Sequence, residues 1–194
     1  ALADLRTPHD SEGPLFGVQL RDKRASRDEL RARARTLRAL TALHGVAFIV
    51  NGDADLAAEV DADAVHVPGF ARDRDAIGRA RAAVGPLRAI HVPVHTNEEV
   101  ARAQDDGADA LLVSPIFDSP GKGPARGVRA LMEARARLRD DARPHARPMR
   151  IYALGGIDAA RARACRDAGA DGVAVIRALL DAPDPVATAR ALVQ

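Results

Sequence analysis

The chain has 194 residues, 29 Lys+Arg against 27 Asp+Glu for a net charge of +2, 47% apolar residues, 3% aromatics and one cysteine, the profile of one globular domain. The apolar runs, such as Val46 to Val50 and Leu111 to Val113, fall far short of the ~20 residues a bilayer span needs. No signal-peptide pattern is visible, and the lone Cys165 forms neither an intramolecular disulfide nor a zinc cluster, which suits the cytoplasm.

A sequence pI near 9.2 would suit nucleic acid. The arginines, however, alternate with acids along Arg21 to Arg38 and Arg72 to Arg81, and with no Trp and one Tyr there is little to stack on bases. The charge therefore reads as a solvated helical surface, with neither a nucleic-acid nor a membrane partner expected. With 42 alanines and 27 arginines but only two lysines, Lys23 and Lys122, a lysine is the exception to be explained.

In chain order, short β-branched runs predict strands at Phe16 to Leu20, Val46 to Val50, Ala64 to Val67, Ala89 to Val94, Ala110 to Val113, Arg150 to Leu154 and Gly172 to Val175, with a further candidate at Ala1 to Leu5. Ala/Arg-rich stretches of helical period lie between them: Ser26 to Leu43, Asp53 to Val60, Arg72 to Val84, Asn97 to Asp106, Val128 to Asp140, Asp158 to Ala168 and Pro183 to Val193, with a short helix expected after Ile176 and Arg177. Ser26, Asn97 and Asp158 read as N-caps, and Gly45, Gly107 and Gly169 as terminators. One phrase recurs, at Asp61-Ala62-Asp63-Ala64-Val65, Gly107-Ala108-Asp109-Ala110-Leu111 and Gly169-Ala170-Asp171-Gly172-Val173, each a helix end feeding a buried strand. Seven or eight strands in such units predict a single (β/α)8 barrel domain over residues 1–194, its first βα unit shortened or incomplete in residues 1–15. No Gly-x-Gly-x-x-Gly follows the first strand, so a dinucleotide fold has no support.

Parallel barrels gather their sites at the C-terminal strand ends. Gln19, Arg21 and Lys23 alternate onto one face, where an amide, a guanidinium and an ammonium suit a phosphate or pyrophosphate. Lys122 lies in the Pro/Gly-dense loop Ser114 to Pro124, of the kind that covers a site. Gly155-Gly156 and the Ile176-Arg177 amides offer backbone to phosphate oxygens. In Ile90-His91-Val92-Pro93-Val94-His95 the histidines point away from the apolar face, and His95, nearest the strand end, suits proton transfer. His66 and His91 read as satisfied core histidines, His9, His44 and His145 as solvated, and Cys165 as an inert core thiol. Asp53 and Asp55 read as ordinary helix N-terminal acids.

Gln19-Leu20-Arg21-Asp22-Lys23, Val50-Asn51, Ala62 to Val67, Val94-His95-Thr96, Pro115-Ile116-Phe117 with Lys122, Ala153 to Ile157 and Ala170 to Ile176 together resemble the thiamine phosphate synthase and TenI family, from about Gly17 to Val193. The resemblance implies a (β/α)8 barrel. It implies that Gln19, Arg21, Lys23 and Asn51 grip a pyrimidine pyrophosphate, and that Ser119, Gly121, Lys122, Gly155, Gly156, Ile176 and Arg177 hold a thiazole phosphate. The chain departs from the synthase pattern at Gly52 and Ala71, where magnesium-binding aspartates are expected, at Pro93 and at Arg177, where serines are.

Losing two carboxylates removes an obvious means of neutralising departing pyrophosphate. The expectation is therefore a TenI-like thiazole tautomerase, an isomerase of a carboxythiazole phosphate with His95 as acid/base. The alternative is a thiamine phosphate synthase, with Asp53 or Asp55 recruited for magnesium; a second alternative is a non-catalytic barrel that binds a pathway phosphate. No cofactor is expected, Mg2+ entering only with the synthase. The partners are small phosphorylated thiazole or pyrimidine ligands, with a homo-oligomer left open.

Overall fold

The computed structural model describes residues 16–139 and 148–193. The element order is β1 (Gly17–Leu20), α1 (Arg27–His44), β2 (Ala47–Asn51), α2 (Ala54–Glu59), β3 (Ala64–His66), a 3-10 turn (Phe70–Arg72), α3 (Ala76–Val84), β4 (Ala89–Val94), α4 (Asn97–Asp105), β5 (Ala110–Val113), α5 (Arg129–Arg137), β6 (Arg150–Leu154), α6 (Ala159–Asp167), β7 (Gly172–Ala174), α7 (Arg177–Leu180) and α8 (Pro185–Val193). The strands follow one another in a seven-stranded sheet ordered β1 to β7. The pairs β1–β2, β2–β3, β3–β4, β5–β6 and β6–β7 are parallel. The closed eight-stranded barrel is thus corrected to an α/β sheet of seven strands among the described residues, with β1 and β7 ending its order. The eighth candidate, at residues 1–5, and the expected irregular first unit lie outside the described residues.

The chain divides into two compact units between His91 and Val92. In the first, Phe48, Val50, Leu56, Val65, Phe70, Ile77 and Ile90 are buried between strands and helices, each such apolar side chain contributing ~1.5–3 kcal/mol relative to exposure. Ser26 caps α1 through a reciprocal box with Glu29, and Gly45 ends it in the left-handed region, its N–H donating to the Ala42 and Thr41 carbonyls. In the second unit all four residues of β5 are buried, as expected of a strand covered on both faces. Leu111, Ile116, Leu131 and Ile151 fill its core.

The recurring phrase has a structural cause. Asp63 and Asp171 each sit just before a strand, and each donates its N–H to the neighbouring strand, to Phe48 O (2.9 Å) and Ile151 O (2.8 Å). Each carboxylate then accepts that strand residue's own N–H, at 2.7 Å in both cases. Arg38 pairs with Asp63 and Arg135 with Asp171, so these arginines tie helices to strand starts. Several expected boundaries move, two of them for a reason the hydrogen bonds give. Thr96, not Asn97, caps α4, its hydroxyl accepting the Glu99 N–H. The third helix begins at Ala76 rather than Arg72, because the Asp73 carboxylate takes the Asp75 N–H and opens the chain into a turn.

Candidate functional site

At the end of β1, the Gln19 side-chain amide donates to Asn51 Oδ1 on β2 at 3.1 Å, bringing two expected ligand residues together. Arg21 and Lys23 follow, both exposed, and with Leu20, Asn51, Asp53 and Leu56 they line a pocket of about 130 Å³. Strand alternation does not carry Lys23 there as expected. The strand stops at Leu20 and the chain bends over residues 23–25, where Asp22 accepts the Arg24 and Ala25 N–H groups and pairs with Arg33. The Arg24 N–H, and then Arg33, hold the Asp22 carboxyl below the usual carboxylate range.

Beneath this end runs a polar row. Asn51, His66 and His91 stand side by side on β2, β3 and β4. His66 is buried, but its Nδ1 has no hydrogen-bond partner among the described residues, so it is not the satisfied core histidine expected. Burial first, then the charges of His91 and Arg21, lower its pKa to about 4, keeping it neutral at physiological pH. Its main chain is engaged, the carbonyl accepting the Gly52 N–H at 2.8 Å.

The second unit carries the other group. On β4, Ile90, Val92 and Val94 are buried while His91 and Pro93 lie on the opposite face. His95 follows, exposed, with Nδ1 2.8 Å from the Ser114 carbonyl at the end of β5. A carbonyl only accepts, so Nδ1 is the donor in this contact and Nε2 is left for other partners. Sequence reasoning missed Ser114, although it directly follows a buried strand. The loop beyond it closes on itself through Arg126 N to Pro115 O and Gly127 N to Ile116 O, both 2.9 Å. Ser119 accepts from Arg177 at 3.4 Å and bonds the Lys122 N–H through its carbonyl at 3.1 Å, so Ser119, Lys122 and Arg177 lie around one turn, with Gly121 in it at φ +77°.

After β6, Phe117 N donates to Gly155 O at 3.0 Å. Gly156 lies at φ +62°, and a Cβ there would sit 2.5 Å from the Asp118 carbonyl oxygen. Only glycine permits this approach. Arg161, another residue unseen from sequence, donates to Gly156 O at 2.7 Å and lies 4.8 Å over the Phe117 ring. Ile176 N-caps the four-residue α7 and is exposed, with Arg177 beginning the helix. Cys165 is buried and burial pushes its thiol pKa up, consistent with an inert core group.

Neither expected magnesium position supplies a carboxylate. Gly52 turns at φ +80° and Ala71 lies within the 3-10 turn. Asp53 caps α2 by accepting Leu56 N–H at 2.8 Å and pairs with Arg27 at 3.4 Å, while Asp55 is exposed on the first turn of α2 and does not line the pocket. Among the described residues no three His, Cys, Asp or Glu side chains gather as a metal site would require. The two expected positions thus offer a divalent ion no carboxylate.

Fold and turns define an α/β protein with parallel-paired strands, in which each unit places its own polar groups or glycines after its strand ends. Among the described residues no helix is long and apolar enough to cross a membrane. The family model described as thiamine monophosphate synthase matches residues 11–179. A thiamine-phosphate synthase of Roseiflexus sp. (strain RS-1) is 38% identical over 183 residues, 93% of this chain and 72% of that protein. One from Geobacillus kaustophilus is 40% identical, covering 84% of this chain and 70% of that protein. The solved thiamine phosphate pyrophosphorylase from Pyrococcus furiosus superposes with a TM-score of 0.78 at 28% identity, over 93% of this chain and 82% of that one. The chain belongs to the thiamine monophosphate synthase family of enzymes. The tautomerase expectation is corrected by these relatives, which carry the synthase name at 38–40% identity over most of the chain; it weighed two absent carboxylates above the rest of the sequence.

Proposed function

We propose that this protein is a thiamine-phosphate synthase, a transferase that joins a pyrimidine pyrophosphate to a thiazole phosphate. The observation carrying this reading is the identity of 38–40% to proteins of that name across most of the chain. In the reaction the bond between the pyrimidine-bearing carbon and the pyrophosphate oxygen breaks, its electron pair leaves with pyrophosphate, and the thiazole bonds to that carbon. Arg21 and Lys23 meet the growing charge on the leaving group, and Gln19 and Asn51 orient it by hydrogen bonds. In the second unit, Ser119, Gly121, Lys122, Gly155, Gly156, Ile176 and Arg177 hold the thiazole phosphate through main-chain N–H groups and two cations. His95, its Nδ1–H fixed by Ser114, offers Nε2 to a ligand.

Purified protein supplied with both phosphorylated substrates, with and without magnesium, is expected to release pyrophosphate and form thiamine phosphate in equal amounts. Absence of thiamine phosphate under both conditions refutes the assignment.

A further inference from the structure

Building on the synthase reading, we infer that this chain holds pyrophosphate with two fixed side-chain cations, Arg21 and Lys23, and has no carboxylate seat for a divalent ion, so that pyrophosphate binding does not require magnesium. The two acids that line the pocket are both engaged. Asp22 serves two backbone N–H groups and Arg33, and Asp53 serves the α2 cap and Arg27. Asp73, two residues past Ala71, holds the Asp75 N–H and Arg79. Recruiting any of them for a cation would unmake a cap, a turn or an ion pair. Gly52 has room for a side chain, a Cβ there meeting only Pro68 at 3.6 Å, but its φ of +80° is one that L side chains rarely adopt. The turn is built for glycine, and the missing carboxylate is part of its backbone design.

The cations are in the opposite condition. Neither Arg21 nor Lys23 makes a hydrogen bond or ion pair with another described residue. Both line the same pocket, and both are exposed, so neither side chain is committed to a protein counter-ion. Gln19 donates to the Asn51 carbonyl oxygen, which leaves the Asn51 NH2 to face a ligand. His66, neutral beneath them, adds no repelling charge. A guanidinium fork, an ammonium and an amide donor together match a polyanion of several oxygens. In a chain with only two lysines, Lys23 stands where that point charge is needed.

The test is calorimetric titration of the free protein with inorganic pyrophosphate, once in EDTA and once in excess magnesium chloride. Binding in EDTA, with affinity within about threefold of that in magnesium, is expected. Arg21→Ala and Lys23→Ala should each weaken it about tenfold or more, the loss of one charge-assisted contact, while Asp53→Asn should not weaken it. Manganese titrated into the ligand-free protein should give no bound-ion signal in its electron spin resonance spectrum. Binding that appears only with magnesium, no binding in either buffer, or bound manganese that is lost in Asp53→Asn or Asp55→Asn overturns the inference. The synthase reading fails separately: pyrophosphate bound in EDTA by a protein that makes no thiamine phosphate sinks that reading and leaves this inference standing.

Discussion

The two groups of candidate ligand residues are built on opposite principles. In the first unit the end of β1 offers side-chain charge on an exposed rim, with two cations lacking a partner among the described residues and the nearby acids committed to turns and caps. In the second unit the turns after β5 and β6 offer backbone, packed so closely that Gly156 admits no Cβ and the loop hydrogen-bonds to itself. The first group is set by which side chains are present and tolerates small backbone shifts. The second is set by where the main chain runs, and a single methyl group disturbs it.

The largest expected effect follows from that contrast. Gly156→Ala puts a Cβ against the Asp118 carbonyl and forces a non-glycine residue to φ +62°. Left-handed backbone costs about 1–2 kcal/mol, and overpacking a further 1–3 kcal/mol. Thermal unfolding should show a loss of about 3 kcal/mol, roughly 6–12 °C in Tm for a chain of this size, and KM for the thiazole phosphate should rise. Gly123→Ala, in the same loop but with ordinary φ and open space around it, should change stability by less than about 0.5 kcal/mol. Equal effects at the two glycines would remove the distinction between a backbone-built and a side-chain-built group.

The same contrast explains how far the sequence could be read. Strands β4, β5 and β6 lie where their sequence patterns predict, end to end: β5 is an unbroken apolar run, and β4 and β6 alternate buried with half-buried positions. Helix starts drift where capping is decided by one hydroxyl or carboxylate, as with Thr96 and Asp73. Of the rim cations, Lys23 was visible as a compositional outlier, one of two lysines, and Arg21 by its alternation with Gln19 and Lys23. The packing of Gly156 under Asp118, the Ser114 carbonyl on His95 and Arg161 over Phe117 were not, since each joins residues through a fold that no local spacing encodes. The absent carboxylates at Gly52 and Ala71 were legible as letters but misjudged in weight. They bear on how charge is met at the first group and leave the family intact.

A second prediction lies beneath the charged rim. His66 is buried with its pKa lowered to about 4 from an ordinary 6.5. Between these values the unfolded chain binds a proton that the folded chain refuses, so stability rises with pH through that window and is lost as pH falls from 6.5 toward 4. The shift corresponds to about 3 kcal/mol. His66→Asn should flatten the stability profile by that amount between pH 7 and pH 4, measured by urea unfolding against the parent protein. An imidazole that titrates near 6.5 by NMR would show that His66 is hydrated and not held neutral by the strands around it.

The smallest effect comes from the phrase both units share. Its turn holds Asp61 at φ +54° in the first unit, but Gly107 at φ +91° and Gly169 at φ +95° in the second. A φ near +54° lies in the left-handed region that aspartate tolerates, while +95° lies beyond it. Asp61→Gly relieves a modest backbone cost and gives up exposed pairings with Arg88 and Arg38, worth about 0–1 kcal/mol. Glycine also adds freedom to the unfolded chain. These terms oppose one another, and the net change in unfolding free energy should stay within about 0.5 kcal/mol. The reverse exchange is not symmetric. Gly169→Asp places a side chain at a φ it rarely adopts, beside Arg135, and should cost about 1–3 kcal/mol. If both exchanges are neutral, the turns are interchangeable and their residues carry no backbone constraint; if only the second is costly, the first unit's turn accepts either residue at its φ while the second unit's requires glycine.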